Sequence, residues 1–89
     1  MYQIKQYSYD RAKELGVHIQ PSKKGKYKID VFNADGDFIT SIGHNQYSDY
    51  PTYIESHGLE YANTRRALYH IRHKKDYKER GFYSLNILW

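Results

Sequence analysis

The sequence predicts an α+β domain in which a small antiparallel β-hairpin sheet packs against two or three helices, with residues 1–89 forming a single domain. Three observations predict it. Residues 26–42 alternate apolar and polar side chains about an Asn-Ala-Asp-Gly turn, the signature of a hairpin. Residues 59–75 carry apolar side chains at helical spacing. Aromatic residues make up 17% of the chain and 11 residues are Tyr, which is core-building material and far too rich for a disordered tail.

The elements follow in order. Ser8 is placed as the N-cap of a short helix over Tyr9–Leu15, with Asp10 at its positive end and Gly16 as a left-handed cap. Val17-His18-Ile19-Gln20 reads as a short strand, and Pro21-Ser22-Lys23-Lys24-Gly25 as an exposed turn. In the hairpin that follows, Tyr27, Ile29 and Val31 form the apolar face, and Lys26, Lys28 and Asp30 lie on the polar one. Asn33-Ala34-Asp35-Gly36 makes the turn, and the chain returns over Asp37–Ile42 with Phe38, Thr40 and Ile42 on one face. Gly43 is expected to stop that strand. Asp49-Tyr50-Pro51 starts a helix that ends near His57-Gly58, because a proline at the first helical position has no N–H to leave unbonded. Leu59 or Glu60 opens the longest helix, running to about Lys75. On it Tyr61, Thr64, Leu68 and Ile71 share an apolar arc, and Arg66, His70, His73 and Lys74 share the opposing basic one. Gly81 breaks the pattern, and residues 82–89 close the chain with an apolar segment expected to dock as a short helix capped by Ser84.

Composition excludes several function classes. Without Cys there is no disulfide framework, thiolate zinc site or Cys nucleophile, which fits a reducing compartment. No run is long enough to span a membrane, and the first ten residues lack the apolar stretch of a secretory signal, so a soluble interior location is expected. The net charge of +4 is unevenly divided. Residues 1–64 hold seven basic and eight acidic side chains, whereas residues 65–80 hold seven basic and two acidic. A second concentration is Lys23, Lys24, Lys26 and Lys28. Such localised charge favours a polyanionic partner.

The segment with Arg65, Arg66, Arg72, Lys74 and Lys75 is therefore the leading candidate for function. Guanidinium forks bind phosphate bidentately and ammonium groups add point charges along a backbone. Arg66, His70, His73, Lys74, Lys75, Lys23 and Lys24 are assigned to sequence-independent nucleic-acid binding. Arg65 and Arg72, at the edge of the apolar arc, are assigned structural roles, as are Tyr50 and Trp89. Tyr69 and Tyr77 lie among the cations, where rings stack on bases or shield the aliphatic stems. Tyr47, Tyr50 and Tyr53 read as a wall over the core.

Catalytic constellations are sparse. His70 and His73 stand three residues apart on a helix and could share a metal, with a third ligand from His44, His57, Asp49 or Glu55, but the surrounding cations repel a divalent ion. His44-Asn45, between a strand and a helix, has the placement seen in ββα metal nucleases, with Glu55 and His57 as the helix's available ligands. No Ser sits on a strand-to-helix elbow and no Gly-rich phosphate loop is present. No catalytic residue, metal or cofactor is assigned, and neither a small-molecule ligand nor a membrane is implied.

Residues 43–89 resemble a small family of uncharacterised proteins of large DNA viruses and phages. The likeness rests on Tyr47-Ser48-Asp49-Tyr50, on Arg65-Arg66 with Tyr69 and Arg72-His73-Lys74-Lys75, and on Gly81-Phe82-Tyr83-Ser84 with the closing Ile87-Leu88-Trp89. The hairpin leading into Ser41-Ile42-Gly43 fits the same pattern. Pro51-Thr52-Tyr53-Ile54 stands where many of these proteins are more charged. The resemblance implies a viral or phage origin, in a virion or a host-cell interior, and no catalytic role. The leading expectation is a non-enzymatic nucleic-acid-binding or virion-associated protein. A protein-contact module using the apolar segment 82–89 is the second, and a metal-dependent nuclease the third.

Overall fold

A three-stranded antiparallel sheet with four helices forms an α+β domain, in a computed structural model that describes residues 2–73 and 79–89. Helix α1 (Gln6–Leu15) begins two residues before the expected Ser8 cap. Ser8 is instead fully buried, and its hydroxyl donates to the Ile87 carbonyl at 2.9 Å. A hydroxyl beside an unpaired buried carbonyl stabilises more there than at an exposed helix end. Gly16 closes α1 with φ of 71°, in the left-handed region that a side chain would strain.

The strands β1 (His18–Pro21), β2 (Tyr27–Phe32) and β3 (Phe38–His44) pair in sequence order. Their register sets Ile19 opposite Val31, Ile29 opposite Ile42, and Tyr27 opposite His44. In the hairpin turn the Asn33 side-chain oxygen accepts from the N–H groups of Asp35 and Asp37, as expected for an Asx turn. Strand β3 runs through Gly43 rather than stopping there. That glycine has φ of 74°, and a Cβ on it would lie 2.6 Å from the Leu88 side chain, so the position is a close approach between sheet and C-terminal helix.

The polar face of the hairpin is also buried. Lys28 and Asp30 are 5% and 8% exposed, close to the 0% of Ile29 and Val31, because each meets a polar partner from a neighbouring segment. Ser41 donates to Asp30 at 2.6 Å, and Lys28 Nζ bonds Asp49 Oδ2 at 2.8 Å. Buried charge persists in a fold when it is paired and its remaining lone pairs are bonded.

Asp49 caps α2 (Tyr50–His57), accepting from the Thr52 N–H at 3.0 Å, and Pro51 occupies the first turn. Helix α3 (Leu59–His73) follows after Gly58. Its orientation differs from the expected one. Tyr61, Leu68 and Ile71 are exposed, and Ile71 keeps 67% of its surface in solvent. Ala62, Arg66, Tyr69 and His70 instead turn towards the rest of the molecule. The reason is the last helix, α4 (Glu79–Ile87), whose Ser84 hydroxyl, together with Trp89 just beyond its end, supplies partners for polar side chains and a flat ring. Gly81 lies inside α4 rather than breaking it. Ile29, Val31, Ile42, Ile87, Leu88 and Trp89 form the centre of the core, joined by Ile4 and Ala12.

The Lys28–Asp49 pair makes a stability prediction. Lys28→Met should destabilise the fold by about 3–5 kcal/mol by stranding a buried carboxylate, and adding Asp49→Asn, which keeps the cap but removes the charge, should recover part of the loss. Urea unfolding of the two variants measures this, and a double variant less stable than the single one would contradict it.

Candidate anion-binding cleft

Between the end of the hairpin and α3 lies a cleft of about 740 Å³, within the range of ligand-sized cavities. One wall is built by Tyr27 and Lys28 of β2, Gly43 and His44 of β3, and the loop carrying Tyr47, Ser48 and Asp49. The opposite wall is Arg65, Leu68, Tyr69, Arg72 and His73 of α3, with Tyr53 of α2 beside it. Arg80, Gly81 and Ser84 of α4 close one side, and Leu88 and Trp89 form part of the floor.

The inverted seating of α3 creates this cleft. Trp89 stacks on Tyr69 with ring centroids 4.3 Å apart and planes 7° from parallel. Its main-chain oxygen takes hydrogen bonds from Arg66 Nε and, at 3.1 Å, His70 Nε2. Arg66 also lies over the Tyr50 ring, and the Tyr50 hydroxyl donates to Asn63 at 2.8 Å. With the 66, 69 and 70 positions facing the terminus, helix geometry carries 65 and 72 to the neighbouring flank, where they reach the cleft.

The charge of the lining is one-sided. Lys28, Arg65, Arg72 and Arg80 contribute cations, and Asp49 is the lining's one acidic side chain among the described residues. Asp49 is neutralised by Lys28 and is further bonded by the Tyr2 hydroxyl at 2.8 Å. Three arginines are left to set the field. Arg65 lies over the Tyr53 ring, Arg80 lies over Tyr27 and donates to the Ser41 carbonyl, and both remain exposed, as does Arg72. Tyr2, bonded to Asp49 behind the cleft lining, is a titrating group shifted by its surroundings. Burial, and then the negative charge of Asp49, push its hydroxyl well above the ordinary tyrosine range.

The structure separates the residues assigned from sequence. Arg66 and His70, assigned to ligand binding, are half-buried on Trp89. Arg65 and Arg72, assigned structural roles, are exposed on the cleft rim beside His73. The division was drawn from the apolar arc of α3, and that arc is exposed rather than packed in the core, with Leu68 on the cleft wall. Tyr50 and Trp89 are packed among other aromatic rings. Lys74 and Lys75, with Tyr77, lie outside the described residues. Lys23 and Lys24 are exposed in the β1–β2 turn, with Lys24 over the Phe38 ring and away from the cleft lining. Lys28, from the same run, is in the cleft but buried. Lys26 links the two basic concentrations, since its ammonium and the Arg80 guanidinium both stand over Tyr27, at 5.7 and 4.8 Å. Arg80 and Tyr27 were not singled out in sequence, and only the docking of α4 on β3 brings them together.

The helix ligands considered for a nuclease do not meet His44. Glu55 pairs with Lys5 at 2.8 Å, His57 stacks on Tyr61, and neither lines the cleft that holds His44. Among the described residues no three His, Asp or Glu side chains converge as a metal-binding group, and no helix is long and apolar enough to cross a membrane.

No protein family, curated protein or solved structure matches the chain.

Tyr2 provides a pH prediction. With its folded pKa raised, the stabilisation it confers is complete below the ordinary tyrosine value and declines as pH rises above it, since the unfolded chain then releases a proton that the folded one retains. Tyr2→Phe should therefore lose less stability than the parent between about pH 9 and about pH 11, as followed by urea midpoints.

Proposed function

We propose that the chain is a non-enzymatic nucleic-acid-binding protein that holds phosphate groups in the cleft between the hairpin end and α3. The observation that carries this reading is the lining: three exposed arginines, aromatic rings between them, and a single acidic side chain already paired with Lys28 among the described residues. Arginine forks suit phosphate oxygens, and a rim of like charge concentrates a polyanion without selecting its sequence. The route continues over Tyr27 to Lys26, so a bound backbone has a basic exit towards the lysine turn. The viral or phage affiliation suggested by the motifs in residues 43–89 belongs to the same proposal, with the protein acting in a virion or within the host cell.

A protein-contact role is a second reading, and its surface has moved. Ile87, Leu88 and Trp89 are buried in the core, so most of segment 82–89 is not available to a partner. Tyr61, Leu68 and Ile71 of α3 are instead exposed, at 42, 48 and 67%, with Leu68 also lining the cleft. A row of large apolar side chains left in water favours association with another protein surface.

Fluorescence anisotropy of a labelled oligonucleotide tests the first reading. Affinity should fall steeply with salt, and Arg72→Ala or Arg65→Ala should each weaken binding and lower the magnitude of the log–log salt slope by about 0.7–0.9. Undetectable binding at low salt, or an Arg65→Ala/Arg72→Ala variant that binds like the parent, would overturn it. Sedimentation without nucleic acid tests the second. A salt-insensitive oligomer returned to monomer by Ile71→Glu supports an α3 contact, and a monomeric parent removes self-association.

A further inference from the structure

We propose that Tyr47 is a base-stacking platform at the cleft and that the nucleic acid it accepts is single-stranded. This rests on the phosphate-binding reading above and adds to it the part of the ligand that is not phosphate.

Four large aromatic side chains of the lining are already engaged. Trp89 is stacked on Tyr69 at 4.3 Å. Tyr53 meets the Trp89 ring at 6.0 Å and carries the Arg65 guanidinium. Tyr27 carries Arg80. Tyr47 differs from these, because the residue is 70% exposed and its ring meets one other ring among the described residues, His44, at 5.6 Å and 60°. It thus offers a π-face to an incoming planar group.

The backbone that holds this ring is tied down. The Tyr47 N–H donates to the His44 carbonyl at 3.1 Å, and the Gln46 N–H donates to His44 Nδ1 at 3.2 Å. The Tyr47 carbonyl accepts from Lys28 Nζ, which is buried and held in turn by Asp49. The loop is therefore anchored from the inside and presents its side chain outwards. Little backbone entropy remains to be lost when a base stacks, which is the advantage of a preorganised site.

Every nucleobase has a π-face, so stacking on tyrosine adds affinity without selecting sequence. A duplex keeps its bases stacked on each other and offers this ring only backbone and groove edges. A single strand can place phosphates against Arg65 and Arg72 and turn a base onto Tyr47, since all three side chains line one cleft.

The test compares four ligands of equal length on the full chain: a thymidine oligonucleotide, its abasic counterpart, a duplex and inorganic polyphosphate. The parent should bind the thymidine strand more tightly than the duplex or the abasic strand. Tyr47→Ala should weaken thymidine-strand binding by at least about fivefold and leave abasic and polyphosphate binding unchanged, and Tyr47→Phe, which keeps the ring, should bind like the parent. Equal affinity of parent and Tyr47→Ala for the thymidine strand overturns the inference, as does a duplex or abasic strand bound as tightly as the thymidine strand. In those cases retained salt-dependent binding leaves the phosphate reading standing. A parent that binds none of the four at low salt overturns both. The circular dichroism spectrum of Tyr47→Ala controls for folding, and Tyr47→Leu, which fills similar space without a π-face, should behave as the alanine variant does.

Discussion

The buried ion pair between Lys28 and Asp49 is the contact on which the other features depend. It joins the middle strand of the sheet to the residue that caps α2, two side chains 21 positions apart in sequence. Removing two charges from water is costly, and such a pair persists only where every other polar contact around it is made. Here those contacts organise the molecule. Asp49 also caps α2 and accepts from Tyr2, so the N-terminal segment, the sheet and the helical half converge on one carboxylate. Lys28 also holds the carbonyl of Tyr47 and so fixes the loop along one wall of the cleft. With Asp49, the one acidic side chain among its described lining residues, spent on Lys28, the cleft is left with arginine charge.

The second determinant is the competition between two ways of seating α3. Burying Tyr61, Leu68 and Ile71 would remove apolar area from water, worth about 1.5–3 kcal/mol for a large side chain. The observed seating leaves them exposed and packs Tyr69 face to face on Trp89, with Arg66 and His70 bonding the main-chain oxygen of the same residue. Three side chains of α3 thereby converge on one terminal residue. Stacked rings add to burial, and the two hydrogen bonds to the Trp89 main-chain oxygen hold α3 in this seating. The same rotation moves Arg65 and Arg72 from flanks of a buried stripe to the rim of a cavity.

Tyrosine serves both structure and surface here. Tyr2 and Tyr50 use their hydroxyls to tie elements together, Tyr2 on the buried Asp49 and Tyr50 on the exposed Asn63 of α3. Tyr27 and Tyr53 support arginines that a bare surface would leave disordered, giving the guanidinium groups defined positions at little cost in solvation. Tyr47 alone among these stands mostly in water. A small chain with few aliphatic side chains can in this way build both a core and a ligand surface from one residue type.

The α+β class, the hairpin with its Asn33–Gly36 turn, a helix start at Asp49-Tyr50-Pro51 and a long helix opening at Leu59 or Glu60 were legible in the sequence, because these depend on local periodicity and on side chains that bond their own backbone. The sequence by itself also placed the excess charge in the right stretch of chain. The faces were decided only by tertiary structure. Lys28 and Asp30 looked solvated because their alternation with Ile29 is that of a one-sided sheet, yet Asp49 and Ser41, distant in sequence, supply the partners that let them be buried. The apolar arc of α3 pointed to the wrong side because a hydrophobic count does not register a tryptophan and a carbonyl arriving from residue 89. Local rules act over one or two turns, whereas the cleft is assembled by contacts between residues tens of positions apart, and charge that is legible along the chain becomes a site only when packing selects which cations meet.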